Sequence, residues 1–323
     1  MEIQTRGKTM KKILFASTAL VATAGVAAAE LTIGGSARFG LAYDESQTEE
    51  TRIEQRMRVN ITGIAETDAG VKLEARFRLE ANEDSHANDI SGRGPGAAGF
   101  AVSYGGLRVD VGNVSNVLDS GDQVDYYGYG VGFTSFLEHN ANFNGPATGF
   151  GAGSQDATTI KARYNVGDFS ASLSYKETRA QAAVANAPGV LGSTAVAADE
   201  EWQLGLGYTL ANGMAIGAVY SDTDSSGDYW VIGLNGTAGA VGYSVIVGDG
   251  DNQADASFGA SINYEVSSAT SIRAVVSDGG AANADTSYGL GFRHGLGGGV
   301  TLAGGVGSKN DNTLADLGVS FSF

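Results

Sequence analysis

From residue 31 to the C-terminus the chain alternates apolar and polar residues with a period of two. Leu31, Ile33, Ala37, Phe39, Leu41 and Tyr43 are interleaved with Thr32, Gly34, Ser36, Arg38, Gly40 and Ala42, the pattern of a strand with one apolar and one polar face. Val71, Leu73, Ala75, Phe77 and Leu79 repeat it against Lys72, Glu74, Arg76, Arg78 and Glu80, and so do Trp202, Leu204, Leu206 and Tyr208 much further on. The pattern predicts sixteen strands, near 31–43, 52–64, 71–83, 97–104, 107–112, 157–165, 169–177, 201–210, 214–221, 228–236, 240–247, 255–265, 271–277, 286–293, 300–307 and 313–323. No helical repeat longer than about ten residues follows residue 30. Pro95, Pro146 and Pro188 fall between the runs, where a missing amide donor does not harm a sheet.

The strand number is even, and the connections alternate. Short ones at 65–70, 165–168, 211–213 and 295–299 are interleaved with longer polar ones, of which 113–156, after the fifth strand, is by far the longest. That is the layout of an all-β, sixteen-stranded antiparallel transmembrane β-barrel of the outer-membrane kind. A soluble sandwich alternates in the same way, but three features favour lipid. The face read as outward carries essentially no charge, whereas a charge near the bilayer midplane costs about 2–4 kcal/mol. Aromatic residues (Tyr43, Tyr164, Phe169, Tyr175, Trp202, Tyr208, Tyr220, Tyr243, Tyr264) sit near the ends of the outward runs, as interfacial girdles require. Backbone amides in hydrocarbon must all be paired, so a helix-free chain has to close on itself. The mean hydropathy of −0.06 fits, because only alternate strand residues meet lipid.

The N-terminus sets the compartment. From Met10 the chain reads two lysines, an uncharged run over 13–29 and small residues before Glu30, a secretory signal with an A-x-A cleavage site, preceded at 1–9 by a possible upstream extension. Residues 30–323 then form the barrel domain. Residues 1–29 hold Arg6, Lys8, Lys11, Lys12 and Glu2, so their removal leaves 16 basic against 35 acidic side chains, a net of −19. Such acidity disfavours nucleic acid as a partner, since phosphate neutralisation needs clustered Lys and Arg on an accessible face. The absence of Cys among 323 residues excludes disulfide scaffolds, zinc fingers, iron–sulfur clusters and thiol catalysis. The 49 glycines have a bland reading as relief of crowding inside the barrel; Gly128, Gly130 and Gly132 lack the strand–loop–helix context of a phosphate loop. The expected setting is the outer membrane of a Gram-negative cell, against its lipid and lipopolysaccharide.

Candidate chemistry is a charge pattern. By parity Arg38, Arg56, Arg58, Lys72, Arg76 and Arg78 point inward from three adjacent strands, with Arg108 extending this basic wall and Glu74, Glu80 and Asp110 as partial partners. The long loop offers Asp119, Asp122, Asp125 and Glu138 as opposing groups. If the loop lies in the lumen, acid faces base and the transverse field favours polar over apolar permeants. The plain alternative is that these charges merely solvate a wet lumen and a loop surface. Catalysis has little support: His86, His139 and His294 lack a matched nucleophile motif or a base–orienter pair. The run 248–255 offers Asp249, Asp251 and Asp255 as hard oxygen donors for Ca²⁺, on a tip that water alone also explains. No other cofactor is expected.

The start ELTIGGSARFGLAY, the segment RMRVNITGIAETDAGVKLEARFRLEA and the ending DLGVSFSF resemble the general porins of alphaproteobacteria. The resemblance implies a homotrimer of sixteen-stranded barrels, each with its own water-filled pore narrowed at mid-height by the third outer loop, folded into the lumen. It also implies that the terminal Phe323 is an assembly signal read by the barrel-assembly machinery. The expected function is passive diffusion of small hydrophilic solutes and ions, weakly cation-selective because of the acidic outer loops. The alternatives are a substrate-specific outer-membrane channel and, in a different class, a structural or adhesive barrel with a plugged lumen.

Overall fold

A computed structural model describes residues 29–82, 94–95, 97–145, 157–183 and 195–323. The signal segment, His86, Pro146 and Pro188 lie outside these residues, save for Ala29.

Among the described residues the chain forms seventeen strand segments that make sixteen staves. They are β1 (Glu30–Asp44), β2 (Thr51–Glu66), β3 (Lys72–Asn82), β4 (Gly94–Pro95 with Gly99–Tyr104), β5 (Leu107–Gly112), β6 (Ala157–Val166), β7 (Phe169–Thr178) and β8 (Asp199–Thr209). After them come β9 (Ala215–Thr223), β10 (Gly227–Ala238), β11 (Val241–Gly250), β12 (Asp255–Glu265), β13 (Thr270–Gly280), β14 (Ser287–Gly297), β15 (Val300–Lys309) and β16 (Asn312–Ser322). Both segments of β4 pair with β3, which is why they count as one stave. Pro95 thus lies inside an interrupted stave, opposite Leu79, and not between strands as its sequence position suggests; the stave breaks where the donor is missing.

Each stave pairs antiparallel with its sequence neighbour, and β1 also pairs with β16 from Ser36↔Ser322 to Asp44↔Leu314. The sheet therefore has no edge. Tight turns draw on residues that tolerate positive φ: Gly105, Gly167 and Gly239 open two-residue turns at φ +56°, +55° and +62°, while Asn310 and Asp311 both have positive φ between β15 and β16.

Parity sorts the faces as the pattern predicts. Ile33, Phe39, Leu41, Leu204, Leu206 and Ile232 all point outward and are exposed, Ile33 by 66%, whereas the alternate residues face a polar or loop-covered interior. The aromatic residues resolve into two belts. Tyr175, Trp202, Tyr220, Trp230 and Tyr288 ring the end bearing the long loops; Tyr104, Tyr164, Phe169, Tyr208 and Tyr264 ring the other. Register pairs them across strands, as Tyr175↔Trp202, Phe169↔Tyr208 and Tyr220↔Trp230. The outward carboxylates Glu200, Asp222 and Asp228 lie beyond the first belt, toward water.

The asymmetry of the connections holds only for the first half of the chain. Beyond residue 199 the links at the loop end, 224–226, 251–254, 281–286 and 310–311, are as short as the turns opposite them.

Leu204→Arg, on the outward face midway along β8, should destabilise the barrel in lipid vesicles by about 2–4 kcal/mol in a urea titration, whereas Thr62→Glu, on the inward face of β2 opposite Arg76 and away from the loop's track, should not show this depth-dependent penalty. Equal sensitivity at both positions would contradict the assignment of faces.

Candidate functional site

The segment after β5 does not project outward. It enters the barrel, makes one short helix, α1 (Val117–Ser120), and runs along the inner wall from β7 round to β1. Asn116 caps α1 by accepting the Asp119 amide, and Gly121 ends it at φ +67°. A buried loop leaves amide donors that must find acceptors. The inward side chains of the wall supply them: the Leu118 amide donates to Gln203 Oε1 (2.8 Å), that of Tyr129 to Ser261 Oγ (2.9 Å) and that of Asn142 to Ser277 Oγ (3.0 Å). Asp316 on β16 accepts from the amides of Phe133 (3.0 Å) and Thr134 (2.9 Å) and from the Thr134 hydroxyl (2.7 Å). In return Arg273 and Arg293 donate to the carbonyls of Gly130 and Gly132, each at 3.3 Å.

Glycines make room for this path. A Cβ at Gly217 or Gly259 would run into the backbone of Gln123 or His139; at Gly233 it would meet Val124, at Gly305 Val131, and at Gly318 the ring of Phe133. Part of the glycine content, read as general relief of crowding, is thus a paved track for one segment. On that track Val117, Leu118, Val124 and Tyr126 pack with Val219, Tyr229, Val231 and Ile246, and Val131 and Leu137 pack with Val275. Burying one such side chain contributes about 1.5–3 kcal/mol, so the loop carries a core of its own inside the barrel. Tyr129 lies under Arg273, 5.6 Å from guanidinium to ring centroid.

The loop covers one arc and leaves the arc of β1 to β6 facing the bore. Arg38, Arg56, Arg58, Lys72, Arg76, Arg78 and Arg108 all stand on the inward parity of that arc. They are not a bare wall of like charge. Arg38 bonds to Glu54, a residue absent from the sequence-level set and only 3% exposed. Arg58 grips Glu80 through two nitrogens (2.5 and 3.1 Å), Arg108 bonds to Glu74 (3.0 and 3.2 Å) and Asp110 (2.9 Å), Lys72 to Glu74 (3.2 Å), and Arg78 donates to Asn60 (3.0 Å). Arg38 and Arg56 sit directly opposite in register, an arrangement that repels unless an acid such as Glu54 intervenes.

The four loop carboxylates are used in different ways. Asp122 bonds to Lys161 (3.0 Å) and Arg163 (2.5 Å) on β6, two cations that the sequence reading passed over although their parity and the register Arg108↔Arg163 extend the wall to them. Burial works against its ionisation, but the two cations more than offset this and hold the carboxyl below the usual range. Asp119 accepts from the Tyr127 hydroxyl at 2.7 Å, and Asp125 from the Gly128 amide at 3.1 Å. Burial, reinforced by the charge of Asp125 and opposed by Lys309, pushes the Glu138 carboxyl up to about 7. His139 is buried, with Nε2 on the Asp125 carbonyl (2.9 Å) and Nδ1 on Ser261 (3.2 Å), and burial lowers its basicity. It ties the loop to the wall. Asp249, Asp251 and Asp255 do not converge: no group of three acids or histidines able to hold a metal exists among the described residues, and the carboxylates of Asp249 and Asp251 accept from the amides of Gly250 and Asp228.

Between α1 and the β3–β6 wall lies a cavity of about 430 Å³, lined by Arg76 and Arg108 on one side and Ser120 and Asp122 on the other.

A closed sheet, apolar outside and charged within, with a loop occupying part of its bore, defines a membrane channel of the β-barrel class. The chain belongs to the Gram-negative porin family, whose match spans residues 16–314. It is 31% identical over 306 residues to a porin of Fuscovulum blasticum, covering 91% of this chain and all of that one. Two solved variants of Rhodopseudomonas blastica porin, one with five substitutions and one with two, superpose with TM-scores of 0.73 and 0.72 at 27% identity, again over 91% of this chain and all of theirs. Membership makes this an outer-membrane channel.

Because the Glu138 proton is lost as pH rises through about 7, a negative charge appears on the loop. The ratio of cation to anion permeability should therefore rise between about pH 6 and about pH 8, and Glu138→Gln should flatten that rise. The same slope in both proteins would remove Glu138 from the conducting path.

Proposed function

We propose that the protein is a general diffusion porin, passing small hydrophilic solutes and ions through a constriction between the basic arc and the loop. The observation that carries this reading is the one-sided seating of the loop. It is bonded to the wall from β7 to β1, so the bore narrows against Arg76, Arg78 and Arg108 instead of being filled symmetrically. Asp122 supplies acid on the loop side, while Asp119, Asp125 and Glu138 add to the field along it. A strong field across a narrow gap orders water and disfavours apolar solutes, which would have to displace it. The excess of acid in the mature chain, concentrated in the outer connections, makes the pore weakly cation-selective. The protein reaches the outer membrane through the export signal at its N-terminus.

The exterior supports an oligomer. Between Tyr288 on β14 and Tyr104 on β4, Tyr43 is the one Tyr or Trp on the outward faces of β15, β16 and β1 to β3, and Gln55 stands outward and exposed on β2. A face facing lipid needs aromatic belts; this arc lacks them, fits protein–protein contact, and a homotrimer closes it by repetition. Phe323, 56% exposed and bonded through its backbone to Gly35 (2.8 and 3.0 Å), is free to present its ring to the assembly machinery.

Purified protein in planar bilayers should give large ohmic steps without added ligand, in groups of three. The reversal potential in a salt gradient should have the cationic sign and shrink toward zero in about 1 M salt, where the screening length falls to about 3 Å. Saturable flux would point to a substrate-specific channel, absence of steps to a plugged adhesive barrel, and an anionic sign would overturn the selectivity.

A further inference from the structure

His139 is ionisable, yet it is wholly buried, at 0% exposure, and takes no part in the field across the bore. Its seat is built by glycine from two sides. Gly128 of the loop, at φ +63°, lies so close that a Cβ there would stand 2.6 Å from both Cε1 and Nδ1 of the ring, and a Cβ on Gly259 of β12 would run into the His139 carbonyl. The hydrogen bonds around the ring admit one arrangement. The Asp125 carbonyl can only accept, so Nε2 carries the proton and donates to it at 2.9 Å. In the neutral ring Nδ1 is then a bare acceptor. Ser261 Oγ, which accepts the Tyr129 amide at 2.9 Å, turns its own hydrogen to Nδ1 at 3.2 Å. One imidazole thus joins the stretch that carries Asp125 to the stretch that carries Glu138, and both to β12.

We propose that neutral His139 is a positioning residue of the constriction, a pin that fixes these two acidic stretches of the loop against the wall and releases them when it gains a proton. The proposal rests on the channel reading above and adds to it what holds the middle of the loop in place. An imidazolium would keep the bond to Asp125, but it would bring a second N–H to Nδ1 against the hydrogen of Ser261 and would set a charge in a site closed to solvent. Burial accordingly holds the ring's basicity down, although the charge of Asp125 works the other way. Among the described residues, the other charged groups near it are Glu138, beside it in the chain and also facing Lys309, and Arg273 of β13 and Glu265 of β12, both acting on Tyr129. From β11 the ring meets Ser244, whose side chain is a buried hydroxyl. Because the seated ring is the weaker base, the sign follows. Above the free value of about 6.5 seating costs no proton, and below it each unit of pH weakens the seat by up to about tenfold. The loop would then leave the wall for short intervals and interrupt the passage.

Single-channel recording at about pH 7.5 and about pH 5 tests this. In the unmodified protein brief partial closures should be rare at the higher pH and should fill about tenfold more of the recording at the lower. His139→Gln, whose amide can donate to the Asp125 carbonyl but takes up no proton in this range, should be quiet at both. His139→Ala should close briefly at both, and Glu138→Gln, which removes the neighbouring titration, should keep the response to acid. An unmodified protein equally quiet at the two pH values, a His139→Gln protein that still responds to acid, or loss of the response in Glu138→Gln would overturn the pin, and none of these depends on the alanine variant folding. Ohmic steps that persist while the closures ignore pH would leave the channel reading standing. No conduction at about pH 7.5 in the unmodified protein would sink that reading, and the pin with it.

Discussion

A backbone amide in hydrocarbon has no water to turn to, and the whole architecture follows from that. A sheet crossing a membrane cannot leave an edge, because each unpaired group there costs several kcal/mol. The ladder from Ser36↔Ser322 to Asp44↔Leu314 removes the edge, and it does so by bringing the two ends of the chain together. Once the sheet is closed, the two-residue period divides every stave between lipid and lumen. Charge is then permitted on one side only, which is how a chain with near-zero mean hydropathy comes to live in a bilayer.

The same constraint governs the loop. A segment led into the bore buries its own amides, so the wall must answer them with Gln203, Ser261, Ser277 and Asp316 and must clear space with glycine. Only one arc is built this way. The opposite arc keeps its long cations, and the contrast between a glycine and serine wall that holds the loop and an arginine wall that faces it is what shapes the passage. On the reading proposed above, function is a property of two arcs of one sheet.

Much of this is legible in the sequence because the parity of a strand is. The predicted 52–64 and 201–210 appear as Thr51–Glu66 and Asp199–Thr209, and the inward set from Arg38 to Arg108 lies where parity puts it. Glu54, Lys161 and Arg163 obey the same parity and are readable from it: the acid stands inside the basic patch, and the two cations stand on the strand next to that of Arg108. The short helix α1 has too few residues to show a repeat. The anchors Asp316, Arg273 and His139 carry no local signal at all, since their roles depend on where an aperiodic loop lies, and that is set by contacts across more than a hundred residues of sequence. The glycines of the track were visible as composition, but their purpose appears only once the loop is seen against them.

The account turns on the loop lying against the inner wall, and the absence of native cysteine makes this directly measurable. In the pair Val124→Cys and Gly233→Cys, a Cβ at position 233 would lie 3.5 Å from that of residue 124, across the loop and β10, within reach of a disulfide. Mild oxidation of the folded barrel should join them, giving a faster-migrating species on denaturing gels that reverts on reduction, while either single variant stays unlinked. A double variant that folds and inserts but never cross-links would mean that the loop lies elsewhere, and the constriction would go with it.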